Sequence, residues 1–254
     1  MAAQQHEEAA RFFDSVSGTY RDKYRDRSRF HHYFFNERLE KATRDLDLTS
    51  ADVLDIGSGT GDLYDHLIDR TPSIRFHATD VSAGMLAQSP VPMDRKYVGH
   101  AYDHAFPTRS FDAIFMLGVT TYLTPAELEK NLAFIARSLK PQGVALITFT
   151  NKHGLDTWTR AIARGPLTLF GKTGNVLSSG LKLWMYSHAD VRALLARHFR
   201  IERVNGLNHT VFPFNMILPS VSLPVARRLA QVEDVPAWLR WLSSDLLVRV
   251  SKKI

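Results

Sequence analysis

The residues best able to do chemistry lie early in the chain. The run Asp55-Ile56-Gly57-Ser58-Gly59-Thr60-Gly61 follows the apolar pair Val53-Leu54. Glycine at those positions lets the backbone turn tightly after a strand and approach a ligand closely. The spacing is G-x-G-x-G, whereas the dinucleotide fingerprint is G-x-G-x-x-G. Asp55 sits two residues before the first glycine, and Asp62 opens the helix expected next. A pyrophosphate would want the positive end of that helix unopposed, so the loop suits a zwitterionic ligand better than a diphosphate. Asp80 closes the second expected strand. A carboxylate there can accept both ribose hydroxyls of a nucleoside and repels a 2′-phosphate. The alternative for Asp80 is a helix N-cap before Val81-Ser82-Ala83-Gly84-Met85-Leu86.

Other reactive groups are sparse. Without cysteine there is no disulfide, no thiolate metal site and no cysteine nucleophile. No spacing of His and carboxylates suggests a metal site. The candidate general bases are histidines: His31 and His32 near the N-terminus, His153 after the fifth expected strand, and His209 at the start of a late insertion. His209 and His153 rank first, because both fall on the carboxyl-side rim where open α/β sheets bind ligands. Tyr122 and Asn151 are candidate orienting groups. For each histidine the plain alternative is a surface or capping residue.

The elements that must position these residues alternate. Residues 1–49 read as helical, with Phe12, Phe13, Val16, Tyr20 and Tyr24 on one face and then Tyr33, Phe34, Leu39 and Ala42 on another. Strands are expected at 53–56, 74–79, 96–101, 111–117, 144–149, 200–204 and 246–250. Helices are expected at 62–70, 82–88, 124–140 and 187–199. Thr124-Pro125-Ala126-Glu127 carries a cap, a first-turn proline and a reciprocal Glu, and Pro141-Gln142-Gly143 should turn the chain into the fifth strand. This pattern predicts a doubly wound, mostly parallel seven-stranded sheet with helices on both faces.

The net charge of +6 and pI near 9.6 point weakly to an anionic partner. Between residues 20 and 29, however, the bases alternate with acids, as on a solvated helix face. The N-terminus lacks the order of a signal peptide and no apolar run is long enough to cross a bilayer, so a cytoplasmic protein is expected.

Four segments carry a family resemblance. They are the 55–61 loop, Asp80-Val81-Ser82-Ala83-Gly84-Met85-Leu86, Ser110-Phe111-Asp112-Ala113-Ile114 and Leu139-Lys140-Pro141-Gln142-Gly143. In order and spacing they resemble the motifs of the class I S-adenosylmethionine-dependent methyltransferases over about residues 50–150. The resemblance implies a Rossmann-like fold and S-adenosylmethionine as cofactor. It implies that Gly57, Gly59 and Gly61, with Ser58, wrap the methionine moiety, whose ammonium meets strand-end carbonyls near Gly57 and Leu117. Asp55 would stand behind the loop, Asp80 would hold the ribose, and Val81 and Met85 would pack near adenine. Ala101 and Tyr102 would line its other side, and Tyr20 would fold over the methionine carboxylate. His100 stands where many relatives carry an acid for the adenine amine, a role Asp103 could take over.

The expected reaction is transfer of a methyl group to an O or N atom of a small, largely apolar acceptor by in-line displacement. The apolar runs at 181–186 and 211–218, with the N-terminal helices, would cap the site. A packing layer at the sheet edge is the alternative. An Asn-Pro-Pro-Tyr motif is absent, which disfavours DNA as acceptor, and a membrane contact through residues 235–242 is also disfavoured. One domain is expected, with a cap at 1–49, a cofactor core at 50–152 and a substrate-side half at 153–254 holding the 208–241 insertion. A non-catalytic binding protein on the same fold and, less favoured, a nicotinamide-dependent dehydrogenase are the competing functions.

Overall fold

Short β-branched and apolar runs bounded by Gly, Asp or Pro form the strands. They are β1 (Asp52–Ile56), β2 (Arg75–Asp80), β3 (Lys96–Val98), β4 (Phe111–Met116), β5 (Leu139–Thr150), β6 (Phe199–Leu207) and β7 (Asp245–Lys252). In this computed structural model, residues 2–22, 26–160, 162, 183–231 and 237–253 are described. Tyr24, Leu181, Lys182, Val235 and Pro236, invoked above, lie outside them. The seven strands make one sheet in the order β3-β2-β1-β4-β5-β7-β6. β7 runs antiparallel between β5 and β6, and the other pairs are parallel. The expected seven-stranded, mostly parallel sheet is therefore present.

The helices are α1 (Ala2–Val16), α2 (Arg29–Thr43), α3 (Asp62–Ile68), α4 (Ala83–Gln88), α5 (Pro125–Ser138), helical residues 155–160 as α6, α7 (His188–Leu195), α8 (Phe214–Ile217) and α9 (Pro219–Ala230). Alternate strand residues point to opposite faces and build two cores. One packs Leu54, Ile114, Ile147 and Val248 against Leu132 and Ile135 of α5 and Val191 of α7. The other packs Val53, Phe115 and Leu146 against Ala42 of α2, Leu63 and Leu67 of α3, and Leu86 of α4. β1 is flanked by β2 on one side and β4 on the other, so the chain reverses its winding there. Loops leaving the carboxyl ends of those strands diverge and leave a crevice.

Several boundaries differ from expectation. The 139–143 segment does not precede β5 but belongs to it: Phe111 pairs with Leu139 and Ala113 with Val144, so the intervening residues bulge from the ladder. The third strand stops at Val98 because Gly99 takes φ +120, a conformation closed to other residues. The N-terminal helical region splits into α1, a 3-10 turn at Ser17–Thr19, and α2, which Ser28 caps by accepting from the His31 N–H.

Candidate active site

The glycine loop takes its shape from backbone conformations that disfavour side chains. Gly57, Gly59 and Gly61 have φ of +72, +56 and +82. The Gly57 and Ser58 N–H groups both donate to the Thr79 carbonyl, at 2.8 and 3.0 Å, which ties the loop to the end of β2. A Cβ on Gly57 would strike Val119, and one on Gly61 would strike Ser89 and Pro90. Around Gly59 the nearest neighbour is the Met85 terminal methyl at 3.3 Å. Gly59 is therefore the glycine whose one close neighbour is the yielding end of a flexible side chain.

Asp80 closes the loop from the other side. One carboxylate oxygen accepts from the Gly59 N–H (2.8 Å) and the other from the Ser82 N–H (2.9 Å). Ser82, not Asp80, is the side-chain N-cap of α4, accepting from the Met85 N–H. Burial pushes the Asp80 carboxyl up to about 6, against the opposing pull of those backbone donors. Asp55 is fully sheltered behind the loop, and burial raises it to about 7, helped by the charges of Asp80 and Asp62.

These residues open onto a cavity of about 500 Å³. On its wall stand Tyr20, Asp55, Gly57, Ser58, Gly59, Asp80, Val81, Met85, Leu117 and Tyr122, all anticipated as site residues. Gly61 supports the turn without reaching the wall. Three polar atoms of wall residues are buried without a hydrogen-bond partner: Ser58 Oγ, Arg38 Nε and Asn131 Oδ1. Buried polar atoms of this kind are costly unless a partner satisfies them. An open glycine cradle, a buried carboxylate, orphaned polar atoms and a nucleoside-sized cavity fit S-adenosylmethionine.

Five further anticipated residues stand elsewhere. Ala101 is fully buried in the α5-side core, because the 3-10 turn Ala101–Asp103 points it inward. Tyr102 stacks on His100 (4.7 Å between ring centroids) outside the wall, and Gly99 and His100 occupy the wall instead. His209 is buried but off the wall, since Asn208 at φ +54 turns the chain so that the imidazole packs beside Gly206. Burial, then the Lys41 charge, lowers its pKa to about 4. His153 is exposed, and Asn151 is structural: its amide donates to the Arg240 and Ser243 carbonyls, each at 2.9 Å.

Besides His100, the wall carries His31 of α2. Its Nδ1 shares a hydrogen bond with Ser28 Oγ (2.8 Å), and burial, then the Arg27 and Arg160 charges, depress its pKa. Around it the wall is aromatic, with Phe30, Phe34 and Phe35 of α2 and Phe13 of α1, whose ring meets Tyr122 edge-on at 5.1 Å. Both arginines deep in this part have acidic partners: Arg38 faces Asp245 at 3.9 Å, and Arg160 binds Asp156 at 2.6 Å.

Sequence reasoning missed the clasp that lays α1 over the crevice. One oxygen of Asp14 accepts from Ser82 Oγ (2.5 Å) and the Gly84 N–H (2.9 Å). Arg21 adds bonds to the Thr60 carbonyl (2.8 Å) and Asp65 (2.7 Å). An acid on an exposed helical segment carries no local sign of a partner some seventy residues away. Among the described residues no group of His and carboxylates could hold a metal ion.

Residues 53–143, which supply the loop, Asp80 and α5, match the family model for the methyltransferase domain. Solved structures of the same fold include a possible histamine N-methyltransferase from Thermotoga maritima, 14% identical, TM-score 0.62, covering 96% of this chain and 99% of that one. Magnesium protoporphyrin IX methyltransferase from Synechocystis with bound S-adenosylhomocysteine is 14% identical, TM-score 0.60, covering 98% and 100%. A phosphoethanolamine N-methyltransferase from Haemonchus contortus is 16% identical, TM-score 0.59, covering 98% of this chain and 59% of that one. Fold and motif match define the class, a Rossmann-like methyltransferase domain. Beyond that domain match at residues 53–143, the chain is similar in fold to S-adenosylmethionine-dependent methyltransferases.

Proposed function

We propose that this enzyme methylates an O or N atom of a small, largely apolar molecule held between the glycine loop and the aromatic wall of α1 and α2. The carrying observation is that wall, with Phe13, Phe30, Phe34, Phe35 and Tyr122 opposite the loop. The deep cations Arg38 and Arg160 are partnered by Asp245 and Asp156, which leaves exposed Arg27 as the wall's other cation and limits the positive charge offered to a polyanionic acceptor. Solved proteins of this fold are named for magnesium protoporphyrin IX and phosphoethanolamine, both small acceptors.

In this reading Asp80 accepts from the ribose hydroxyls, Val81 and Met85 pack near adenine, and the loop backbone with Tyr20 surrounds the methionine end. S-adenosylmethionine supplies an electrophilic methyl group, so the protein's task is to align the nucleophile and exclude water. The α1 clasp and the aromatic wall do the excluding. The whole chain acts as one domain, with residues 1–49 as cap, 50–152 as cofactor core and 153–254 completing the acceptor side. His31, kept neutral near pH 7 by its lowered pKa, takes the proton from a hydroxyl acceptor.

A panel of small hydroxyl and amine compounds, read by S-adenosylhomocysteine release, tests the acceptor class. On the best hydroxyl substrate His31→Ala should slow turnover by about 100-fold with cofactor affinity intact. His209→Ala should spare turnover at saturating cofactor in the folded fraction. Preferred turnover of nucleic acid, or an unaffected His31→Ala rate, would overturn this reading.

A further inference from the structure

We propose that the outward face of α8 and α9 docks on a lipid bilayer bearing anionic headgroups. This segment belongs to the late insertion, but its inner and outer faces differ sharply. Leu223 and Ala226 of α9 pack against Phe30 and Tyr33 of α2, while Asn215 of α8 is buried and donates to Thr210 Oγ1. Facing away are Phe214, Met216, Ile217, Leu218, Val221 and Val225, each at least half exposed. These are six of the twelve exposed large apolar side chains among the described residues, gathered within twelve positions of chain. Isolated exposed apolar residues are ordinary, whereas a gathered set marks a contact surface.

Charge selects the occupant. Residues 208–231 contain no Asp or Glu, and α9 ends in Arg227 and Arg228. Beside α9, Arg29, Arg44 and Arg227 line the groove that separates it from α2, together with Lys41, Glu37 and Glu40, of which Lys41 and Glu37 pair with each other at 3.2 Å, so the bases outnumber the acids there. An apolar face edged by arginines is complementary to acyl chains beneath a layer of negative headgroups. Another protein surface would have to supply both acids and a greasy patch at one place, and a second copy of this face would set arginine against arginine. The arrangement also sits beside the cavity. Phe30, under α9, lines it, and the Phe212 N–H just before α8 donates to Asp156 of the wall at 2.7 Å. Among the described residues no helix is long and apolar enough to cross a membrane, so the contact is with one leaflet.

Flotation of the full chain with vesicles tests this without knowing the acceptor. The protein should float with phosphatidylcholine–phosphatidylglycerol vesicles and about tenfold less with phosphatidylcholine alone. The double variant Ile217→Glu/Val221→Glu alters two exposed side chains, so it should keep its thermal midpoint and its affinity for S-adenosylhomocysteine, yet stay unbound. Failure of the unaltered protein to float with anionic vesicles overturns the proposal. So does equal flotation with neutral vesicles, or flotation of the variant like the parent. A dimer in sedimentation that the double variant dissolves would assign the face to a second copy instead.

Discussion

Asp80 carries two opposing influences. Removal from water favours its protonated form, while the Gly59 and Ser82 N–H groups favour the carboxylate, and burial wins in the ligand-free protein, raising it to about 6. An acid whose pKa is higher folded than unfolded stabilises the fold at low pH, and that contribution fades as pH rises through the folded value. Asp55, at about 7, acts with the same sign. The ligand-free enzyme should therefore lose this increment between about pH 4 and 7. If Asp80 holds the ribose as proposed, its hydroxyls would reverse the preference, because a carboxylate is the stronger acceptor for them. Affinity for S-adenosylhomocysteine should rise from pH 5 to pH 7 in calorimetric titration. Asp80→Ala should weaken binding by about 2 kcal/mol at neutral pH and flatten that rise. Unchanged affinity in a folded variant would remove Asp80 from the ribose.

Elements differ in how their neighbours are specified. The start of α5 is local: Thr124 accepts from the Glu127 N–H while Glu127 accepts from the Thr124 N–H at 2.8 Å, and Pro125 fills the first turn. The position of α1 is not local, since it rests on Asp14 reaching α4 and Arg21 reaching Thr60 and Asp65. Those bonds join an otherwise lightly buried helix to the loops around the crevice. Asp14→Ala should lower cofactor affinity about tenfold, the order for losing hydrogen bonds to a charged group. The thermal midpoint should move by less than about 4 °C, because both cores lie elsewhere. A midpoint collapse with unaltered affinity would mean that α1 supports the fold and does not cover the site.

At the scale of the molecule, the crevice forms where the winding reverses about β1, and a ligand bound there would bridge the loops after β1, β2 and β4. A ligand that binds only the folded state raises stability by mass action, about 2.7 kcal/mol at a hundred times its Kd. For a chain of this size that corresponds to a midpoint rise of roughly 5–10 °C. Differential scanning fluorimetry should show that rise with S-adenosylhomocysteine and none with NAD. A rise with NAD would contradict the reading of the G-x-G-x-G turn.

Sheet, winding and the glycine turn were legible because each rests on short-range rules. Strands show as apolar runs, a tight turn demands glycine, and a helix start demands a capping residue. Gly57, Gly59, Asp80 and the capping box at Thr124 are of this kind. Sequence position alone did not determine which side chains face the cavity. His209 and His153 occupy the expected rim of the sheet, but a left-handed residue at Asn208 turns one inward and the other faces solvent. Ala101 and Tyr102 fall in the expected loop, yet a single 3-10 turn exchanges them for Gly99 and His100. The Asp14 clasp, the aromatic wall of α2 and the unpaired face of α8 and α9 depend on contacts between segments far apart in the chain. Local propensity carries no information about such contacts; the packing of helices on the sheet decides them.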